Sequence, residues 1–528
     1  MAMFQEHPRE LKVLFLTEMW ERFGYYLMIG ILSLYMLDTL HGGLGFSRER
    51  AADVYGTFIA LVYLTPFLGG ILADRFLGYR NSIIIGSILM ASGYMVIALP
   101  GVPAFFTGLG LVILGNGFFK PNISTLVGRL YPPGSPLKDT GYNIFYLGIN
   151  VGAFACNFVA ALLRHRFGWG WAFFAAGVGM LIGMITFLLA GRRLKDIPDR
   201  GDGSSVQPGM LRKLCTNVFG PAVLAGLFGY FFLGPYLGGP STAAFAAACV
   251  PVVAFYLSVW LRSPHHERAP IGALLAIFSV VIVFWMIFHQ NGSTLTYWAE
   301  ENTRREAGVL TPVLEALYLE QDATIGSAIP DPDAPGSYWR NVPPEERPAP
   351  GEKVILISTE LFQSINPGFI ILLTPVVVGV FARLRAVGRE PSTPAKISLG
   401  MFITALSTLF MLGAVWVSQG GQYKVSPWWL VATYGVITLG ELCLSPMGLA
   451  LVSKLAPARV AALMMGGWFL ATAIGNKLAG VLAGFWEQIP LTGIFGINLA
   501  SALLAGIAVA LMTPWIRGII QEVEHGQR

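Results

Sequence analysis

Apolar stretches long enough to cross a membrane recur along almost the whole of this 528-residue chain. A helix rises about 1.5 Å per residue, so about 20 apolar residues cross a hydrocarbon core of roughly 30 Å. Hydrophobic residues make up 54% of the chain and charged residues only 12%, far fewer charges than a soluble domain carries. The pattern predicts an all-α polytopic membrane protein with fourteen transmembrane helices, at about residues 11 to 40, 51 to 76, 81 to 99, 104 to 130, 139 to 163, 169 to 191, 217 to 237, 242 to 262, 270 to 298, 354 to 382, 397 to 418, 427 to 453, 459 to 486 and 492 to 516.

Two hydrophilic segments divide these spans into groups of six, two and six. We expect an N-terminal six-helix bundle in residues 1–195, a linker with two extra helices in 196–268, and a C-terminal six-helix bundle in 269–528. The last includes an acidic, proline-rich extramembrane insertion at 300–353, for which an ordered cap and a flexible loop are both open. The extra helices carry almost no charge and are expected to be peripheral, with no part in a polar pathway. Two six-span halves predict an alternating-access transporter whose site lies between them.

The positions of the Lys and Arg residues predict the orientation. Most of them fall on one side if the N-terminus is cytoplasmic, which places both termini of this multi-pass protein in the cytoplasm and suggests a plasma membrane, in bacteria the inner membrane. The net charge of +5 then reflects orientation, and nothing suggests a nucleic-acid partner. The four cysteines have no metal-like spacing, so no metal is expected.

Ionisable residues inside the spans are few and unfavourable in lipid. Each costs roughly 2.5 to 3.5 kcal/mol at the bilayer centre on insertion scales, so such residues usually face a bundle interior or a hydrated pathway. Helical spacing groups Glu18, Glu21 and Arg22 of the first span on one patch. Among the ionisable residues of later spans, we single out Lys120, Glu441 and Lys477. A purely structural ion pair is the alternative for each, and it weighs most for Lys477, which no motif surrounds.

Lys120 and Glu441 place one cation in the first half and one anion in the second, so a zwitterion can bridge them. In a peptide, the carboxylate would bind Lys120 and the amino terminus Glu441. An extended chain covers at most about 3.3 to 3.6 Å per residue, and a clamp of fixed width therefore favours two or three residues. No P-loop, zinc-protease or nucleophile-elbow motif is present, which disfavours ATP hydrolysis and an enzyme.

Five motifs, in order along the chain, resemble those of the proton-coupled oligopeptide transporter family of the major facilitator superfamily. They are Glu18 to Tyr26, Gly115 to Asn122, Phe145 to Gly152, Asn366-Pro367, and Gly440 to Gly448 continuing to Pro457. The segment Gly70 to Arg80 also resembles the cytoplasmic loop signature of that superfamily, with Asp74 and its arginines as a latch. The resemblance covers essentially the whole chain.

The resemblance implies the major facilitator fold and a proton-driven symporter that imports di- and tripeptides, functional as a monomer, with the proton as coupling ion and no other cofactor. Proton coupling would involve Glu18, Glu21, Arg22 and Lys120. The residues implied in substrate binding are Tyr25, Tyr26, Tyr63, Lys120, Asn150, Asn366, Glu441, Ser445 and Trp468. Aromatic walls suit varied side chains, and Tyr and Asn suit the backbone that all peptides share.

Two residues depart from the pattern that the family implies. Ile29 stands where many members have an Arg, and His289 stands where they have an acid. An Arg and an acid at these positions could pair across the two halves to close the outer gate, and this chain lacks both partners. His289 titrates near neutral pH when unperturbed and is a candidate for gating or proton coupling. A neutral His289 bonded to Gln290 or to a backbone carbonyl is the alternative.

Other functions remain open at this point. A related proton-coupled transporter of nitrate or another small anion would not need Glu441 as an amino-group receptor. A channel would not concentrate its substrate, and a peptide sensor would not move it.

Overall fold

A computed structural model of the chain describes residues 7–132, 137–191, 193–197, 199, 215–334, 336–457 and 460–526. These residues are mainly helical. The helices are α1 Glu10–Leu37, α2 Arg48–Leu72, α3 Tyr79–Ile97, α4 Val102–Arg129, α5 Leu137–Phe167, α6 Trp169–Leu189, α7 Gly220–Phe228, α8 Pro240–Arg262, α9 His265–Phe288, α10 Thr294–Glu301, α11 Thr311–Ala316, α12 Ile365–Ala386, α13 Thr393–Val417, α14 Trp428–Leu455, α15 Ala461–Gly484 and α16 Leu491–Gly526. The predicted all-α membrane fold is confirmed.

Within the described ranges, twelve helices are long and apolar enough to span a membrane. Two more, α1 with 28 residues and α15 with 24, have the length but contain the polar residues of the sites described below. The count of fourteen spans therefore stays a prediction. So do the three predicted domains, of which the second boundary falls inside the first turn of α9.

The helices assemble into two groups, each around its own core. One apolar core joins α1 to α6 and contains large side chains such as Tyr94, Phe119 and Phe173. A second core joins α9 with α13, α14, α15 and α16 around Phe284 and Trp468. This arrangement leaves an interface between two helical halves, where a site formed by both can lie.

The predicted insertion is a folded cap, here defined as residues 302–358. Two short antiparallel strands, β1 Glu320–Asp322 and β2 Ile355–Ile357, pair Gln321 with Leu356. Trp339 is buried beside them and donates from Nε1 to the carbonyl of Ala323 at 2.8 Å. Apolar contacts also join Leu319 and Ile355 of the cap to Ala161 of α5. The cap thus packs on the first half although the chain places it in the second, and we call its side of the molecule the cap side.

The two extra helical segments are peripheral, as expected. In α8, only Ala243 and Tyr256 are buried within the protein, no residue of α7 is buried, and several large apolar side chains of both helices, such as Leu224 and Val250, are exposed. At the start of α8, however, Ser241 and Thr242 bind a carboxylate of α2. Residues 200–214 of the predicted linker lie outside the described residues.

The loop between α2 and α3 ends at Gly78, whose φ of 79° is a left-handed conformation that favours glycine. The backbone amide of Arg80 then donates to Asp199 at 2.9 Å. The side chains of Asp74 and Arg75 lie outside the described part, so the latch expected there remains a prediction.

Candidate functional site

The charged patch of α1 is almost completely buried and internally paired. The side chains of Glu18 and Glu21 have no exposed surface, and that of Arg22 has 5%. The Arg22 guanidinium binds both carboxylate oxygens of Glu21 and lies 3.5 Å from Glu18. Such pairing lowers the cost of placing three charges within an apolar bundle.

Helix α4 supplies the remaining polar partners of this patch. Asn116 accepts a hydrogen bond from Arg22 at 3.2 Å and donates to the carbonyl of Val62 in α2 at 2.9 Å. One turn further along α4, Lys120 Nζ donates to Glu18 Oε1 at 3.0 Å. Glu21 is therefore bound by Arg22, whereas Glu18 is bound by Lys120 and has Arg22 as a second, more distant cation.

Lys120 also borders a central cavity of about 290 Å³ between the halves. Its side chain is 32% exposed, whereas Glu18 beside it is fully buried, so a molecule in the cavity can reach Lys120 but not Glu18. The Oε2 atom of Glu18 has no hydrogen-bond partner in the described structure. Lys120 thus stands between the buried carboxylate and the cavity.

Glu441 of α14, in the second half, also lines this cavity. Asn366 of α12 donates to Glu441 Oε2 at 3.2 Å and to Thr438 at 2.8 Å. No described Lys, Arg or His lies within ion-pair distance of this carboxylate, which still faces the cavity. Glu441 therefore offers an available anion in the same cavity as Lys120.

The remaining cavity wall is largely aromatic. Tyr25 packs edge-on against Tyr26, and Arg22 lies 4.8 Å from the ring centre of Tyr25. His289 follows the end of α9, stacks on Trp285 at 5.1 Å, and lies 5.7 Å from Tyr63. Its Nε2 atom has no partner among the described residues.

Every residue expected to bind substrate lines this one cavity. They are Tyr25, Tyr26, Tyr63, Lys120, Asn150, Asn366, Glu441, Ser445 and Trp468. Of the residues expected in proton coupling, Arg22, Lys120 and His289 also line it, and Glu18 and Glu21 lie behind it. The structure gives the positions of these residues, whereas their roles in substrate binding and proton coupling stay predictions.

Sequence reasoning missed part of the lining. Tyr55, Tyr146, Trp285, Gln363 and Thr472 also face the cavity. Tyr146 lies one turn from Asn150, whose side-chain amide donates to its carbonyl at 3.0 Å, so the motif that contains both was a usable signal. A larger cavity of about 600 Å³ lies between α2, α8 and α15, but its lining is almost wholly apolar, so it is not the candidate site.

Polar contacts join the two halves at the cap side of the cavity. Ser33 of α1 donates to the carbonyl of Gly292 at 2.6 Å, and Gln363 donates to that of Gly30 at 3.1 Å. Arg164 of α5 binds the fully buried Glu360 at 2.7 Å. These contacts hold the two halves together at the cap side of the cavity.

Comparison with known proteins places this architecture in a family. The model of the POT family matches residues 80–318 and 352–499, which is most of the chain, and the gap falls within the cap. The chain belongs to the POT family. Members are transporters, and this chain is a transporter and not an enzyme.

Several relatives match this chain over nearly their full length. An uncharacterized transporter YclF of Bacillus subtilis is 32% identical, with 98% of this chain and 96% of that protein covered. The peptide transporter YePEPT of Yersinia enterocolitica is 32% identical, with 99% and 97% covered. Relatives named di-/tripeptide transporters include one from Lactococcus lactis, 29% identical with 98% of both chains covered.

Solved POT structures share the fold. A crystal structure of a mutant peptide transporter POT in complex with alafosfalin has a TM-score of 0.78 and 31% identity, and 98% of this chain and 96% of that one are covered. A POT family transporter in complex with 5-aminolevulinic acid has a TM-score of 0.77 and 26% identity, with 97% and 98% covered. The major facilitator fold expected from the sequence is consistent with these neighbours.

Proposed function

We propose that this POT family member is a proton-coupled symporter that imports di- and tripeptides. The observation that carries the proposal is the pair of opposite charges across one cavity, Lys120 from the first half and Glu441 from the second. The peptide carboxylate binds near Lys120 and the amino terminus near Glu441, as charge-assisted hydrogen bonds require. The names of the relatives, peptide and di-/tripeptide transporters, support the same substrate class.

Coupling follows from the sharing of Lys120 between Glu18 and the substrate. When a peptide carboxylate draws Lys120 toward the cavity, Glu18 loses its 3.0 Å contact and retains only Arg22 at 3.5 Å. A carboxylate with less compensation in a buried site takes up a proton more readily. Peptide binding and protonation thus favour each other, and Glu21 and Arg22 hold the patch together.

His289 is proposed to take a share of gating or coupling. It lies at the cavity between Trp285 and Tyr63, close to the Gly292 carbonyl that Ser33 binds at the cap side. Protonation of its Nε2 atom, which has no partner among the described residues, would add a hydrogen-bond donor at this contact between the halves. If uptake by His289→Gln has the same pH profile as uptake by the wild type, this part of the proposal is wrong.

The cellular setting is proposed from charge distribution and family. Both termini are placed in the cytoplasm of a plasma membrane, which makes the cap side external. The protein works as a monomer and needs no cofactor besides the coupling proton.

The decisive experiment separates driven uptake from exchange in reconstituted vesicles. Labelled dialanine uptake under an imposed proton gradient is compared with exchange of internal for external dialanine, using wild type, Lys120→Gln and Glu21→Gln. We expect wild type to do both and the variants to lose driven uptake. Lys396→Gln is the control, because Lys396 pairs with Glu390 at 2.6 Å away from the cavity.

The same vesicles test the alternatives. Dialanine-independent uptake of nitrate by wild-type protein would favour a small-anion transporter. Dialanine binding without any exchange would favour a peptide sensor. Either outcome would overturn the proposal.

A further inference from the structure

A second ion pair, whose lysine is buried, joins the halves near the cap side. Lys477 of α15 donates from Nζ to Asp53 Oδ1 of α2 at 2.5 Å and to Thr57 at 2.7 Å. The Lys477 side chain is 3% exposed, and that of Asp53 is 32% exposed. Asp53 lies five residues into α2, which is about 7.5 Å along the helix axis from its start. This pair is thus separate from the charged patch of α1 and crosses from one half to the other.

The extra helices contribute to the same pair. Ser241 donates a hydrogen bond to Asp53 Oδ2, and Thr242 donates to Oδ1 at 3.1 Å. Lys477 also lies 3.4 Å from the Ser241 hydroxyl. Asp53 therefore has partners on α15 and α8, and three parts of the chain meet at one carboxylate. We call Asp53, Thr57, Ser241, Thr242 and Lys477 the polar junction.

Close backbone packing brings this junction together. A Cβ atom on Gly56 would lie 2.8 Å from the Cα of Gly480, nearer than real Cβ atoms approach. The two glycines therefore let α2 and α15 touch along their backbones, one turn from Asp53 and Lys477. The geometry fixes these helices against each other at the cap side of the bundle.

We propose that the polar junction is the latch that holds the cap side closed, and that it gives the α7–α8 hairpin a part in the transport cycle. The proposal rests on the alternating-access function proposed above. Ile29 and His289 leave this chain without the gate pair expected between α1 and α9, whereas Asp53 and Lys477 supply a cross-half pair between α2 and α15. Opening separates these helices and leaves each charge in need of water or a new partner, which favours the closed form.

The hydroxyls of α8 set how firmly the latch closes. Ser241 and Thr242 donate hydrogen bonds to Asp53 from outside the two bundles. When the halves separate, the hairpin formed by α7 and α8 must therefore either move with α2 or lose these hydrogen bonds. Removing these donors leaves the ion pair in place but removes part of the compensation of its carboxylate. Separation of α2 from α15 then costs less free energy than in the parent protein, but the decrease is smaller than after loss of the ion pair itself.

The test measures the distance between the halves directly, without peptide or proton gradient. Spin labels are placed at Leu40 and Trp428, both 73% exposed at the cap side, in a background without the four native cysteines. We compare Asp53→Asn, Lys477→Gln and the double variant Ser241→Ala, Thr242→Val with the parent. The matched control is Lys396→Gln, which removes a lysine from an ion pair within one half.

We expect both charge variants to raise the ratio of long to short label distances by about tenfold or more, and the hydroxyl variant to raise it less. The control keeps the parent distribution. The Ser241→Ala, Thr242→Val variant retains both charges, so its label distances test the proposal even if a charge variant does not fold. An unchanged distribution in the hydroxyl variant and in every folded charge variant would overturn the latch, whatever the substrate of the transporter proves to be.

Discussion

Glu441→Gln should abolish the preference of the transporter for a free peptide amino terminus. Glutamine has the size of glutamate and keeps an oxygen that can accept the 3.2 Å hydrogen bond from Asn366, so the change removes the charge with little change in shape. In the wild type, this carboxylate has no described cation partner and is available to an ammonium group in the cavity.

The size of the effect follows from the type of contact that is lost. A hydrogen bond to a charged group contributes about 1.5 to 3 kcal/mol, which corresponds to roughly a 10- to 150-fold change in affinity. Wild-type protein should therefore bind dialanine more tightly than N-acetyl-dialanine by about this factor. Glu441→Gln should bind the two with nearly equal affinity.

Lys120→Gln provides the mirror-image control. It should keep the discrimination against N-acetyl-dialanine but lose the discrimination between dialanine and dialanine amide, which lacks the terminal carboxylate. Calorimetric titration of the purified proteins at one fixed pH measures all the affinities. If Glu441→Gln still distinguished dialanine from its acetylated form as the wild type does, the assignment of Glu441 to the amino terminus would be refuted.

Three further predictions concern stability, each measured on purified protein. Gly480→Val should destabilise the fold by about 1 to 3 kcal/mol in thermal unfolding, because its Cβ would lie 2.6 Å from the carbonyl oxygen of Ala52. The control Gly484→Val adds its side chain to open space and should change the stability very little. Trp339→Ala should destabilise the cap by about 3 to 5 kcal/mol and speed hydrogen exchange at β2, whereas the same change at the 82% exposed Trp416 should not. Burial, with nearby Arg305, lowers the pKa of Lys424 in the cap-side loop to about 7. An unfolded lysine keeps its proton to about pH 10.4, so the unfolded state binds more protons above pH 7 and stability should rise with pH there, less steeply in Lys424→Met. A rise of equal slope in Lys424→Met would contradict this reading.

Part of the lining of the central cavity is predictable from the sequence, because ionisable side chains in lipid-spanning helices stand out from their surroundings. Lys120 and Glu441 were identifiable from this contrast and from their motifs, and they line one cavity. The pairing within the patch was not identifiable. Helical spacing alone favours the pair of Glu18 and Arg22, which lie one turn apart, whereas in the structure Arg22 binds Glu21 and the approach of α4 gives Lys120 to Glu18.

The cap shows a different limit of sequence reasoning. Its elements are short, and its order depends on contacts between distant residues, such as Leu319 and Ile355 with Ala161 of α5. No local periodicity signals such a structure. The same holds for Lys477, because its partner Asp53 lies 424 residues away in the sequence, near the end of a span.

The two buried charge systems differ in a way that matches the work proposed for each. At the cavity, Lys120 is 32% exposed and Glu441 lacks a described cation, so charges remain available to a ligand. At the polar junction, Lys477 is 3% exposed and donates to Asp53 and Thr57, whereas Asp53 is 32% exposed but also accepts hydrogen bonds from Ser241 and Thr242. A site that must bind and release substrate requires incomplete internal compensation, whereas a contact that only holds helices together is strongest when compensation is complete. The burial of each lysine therefore favours substrate binding at Lys120 and a conformational role at Lys477.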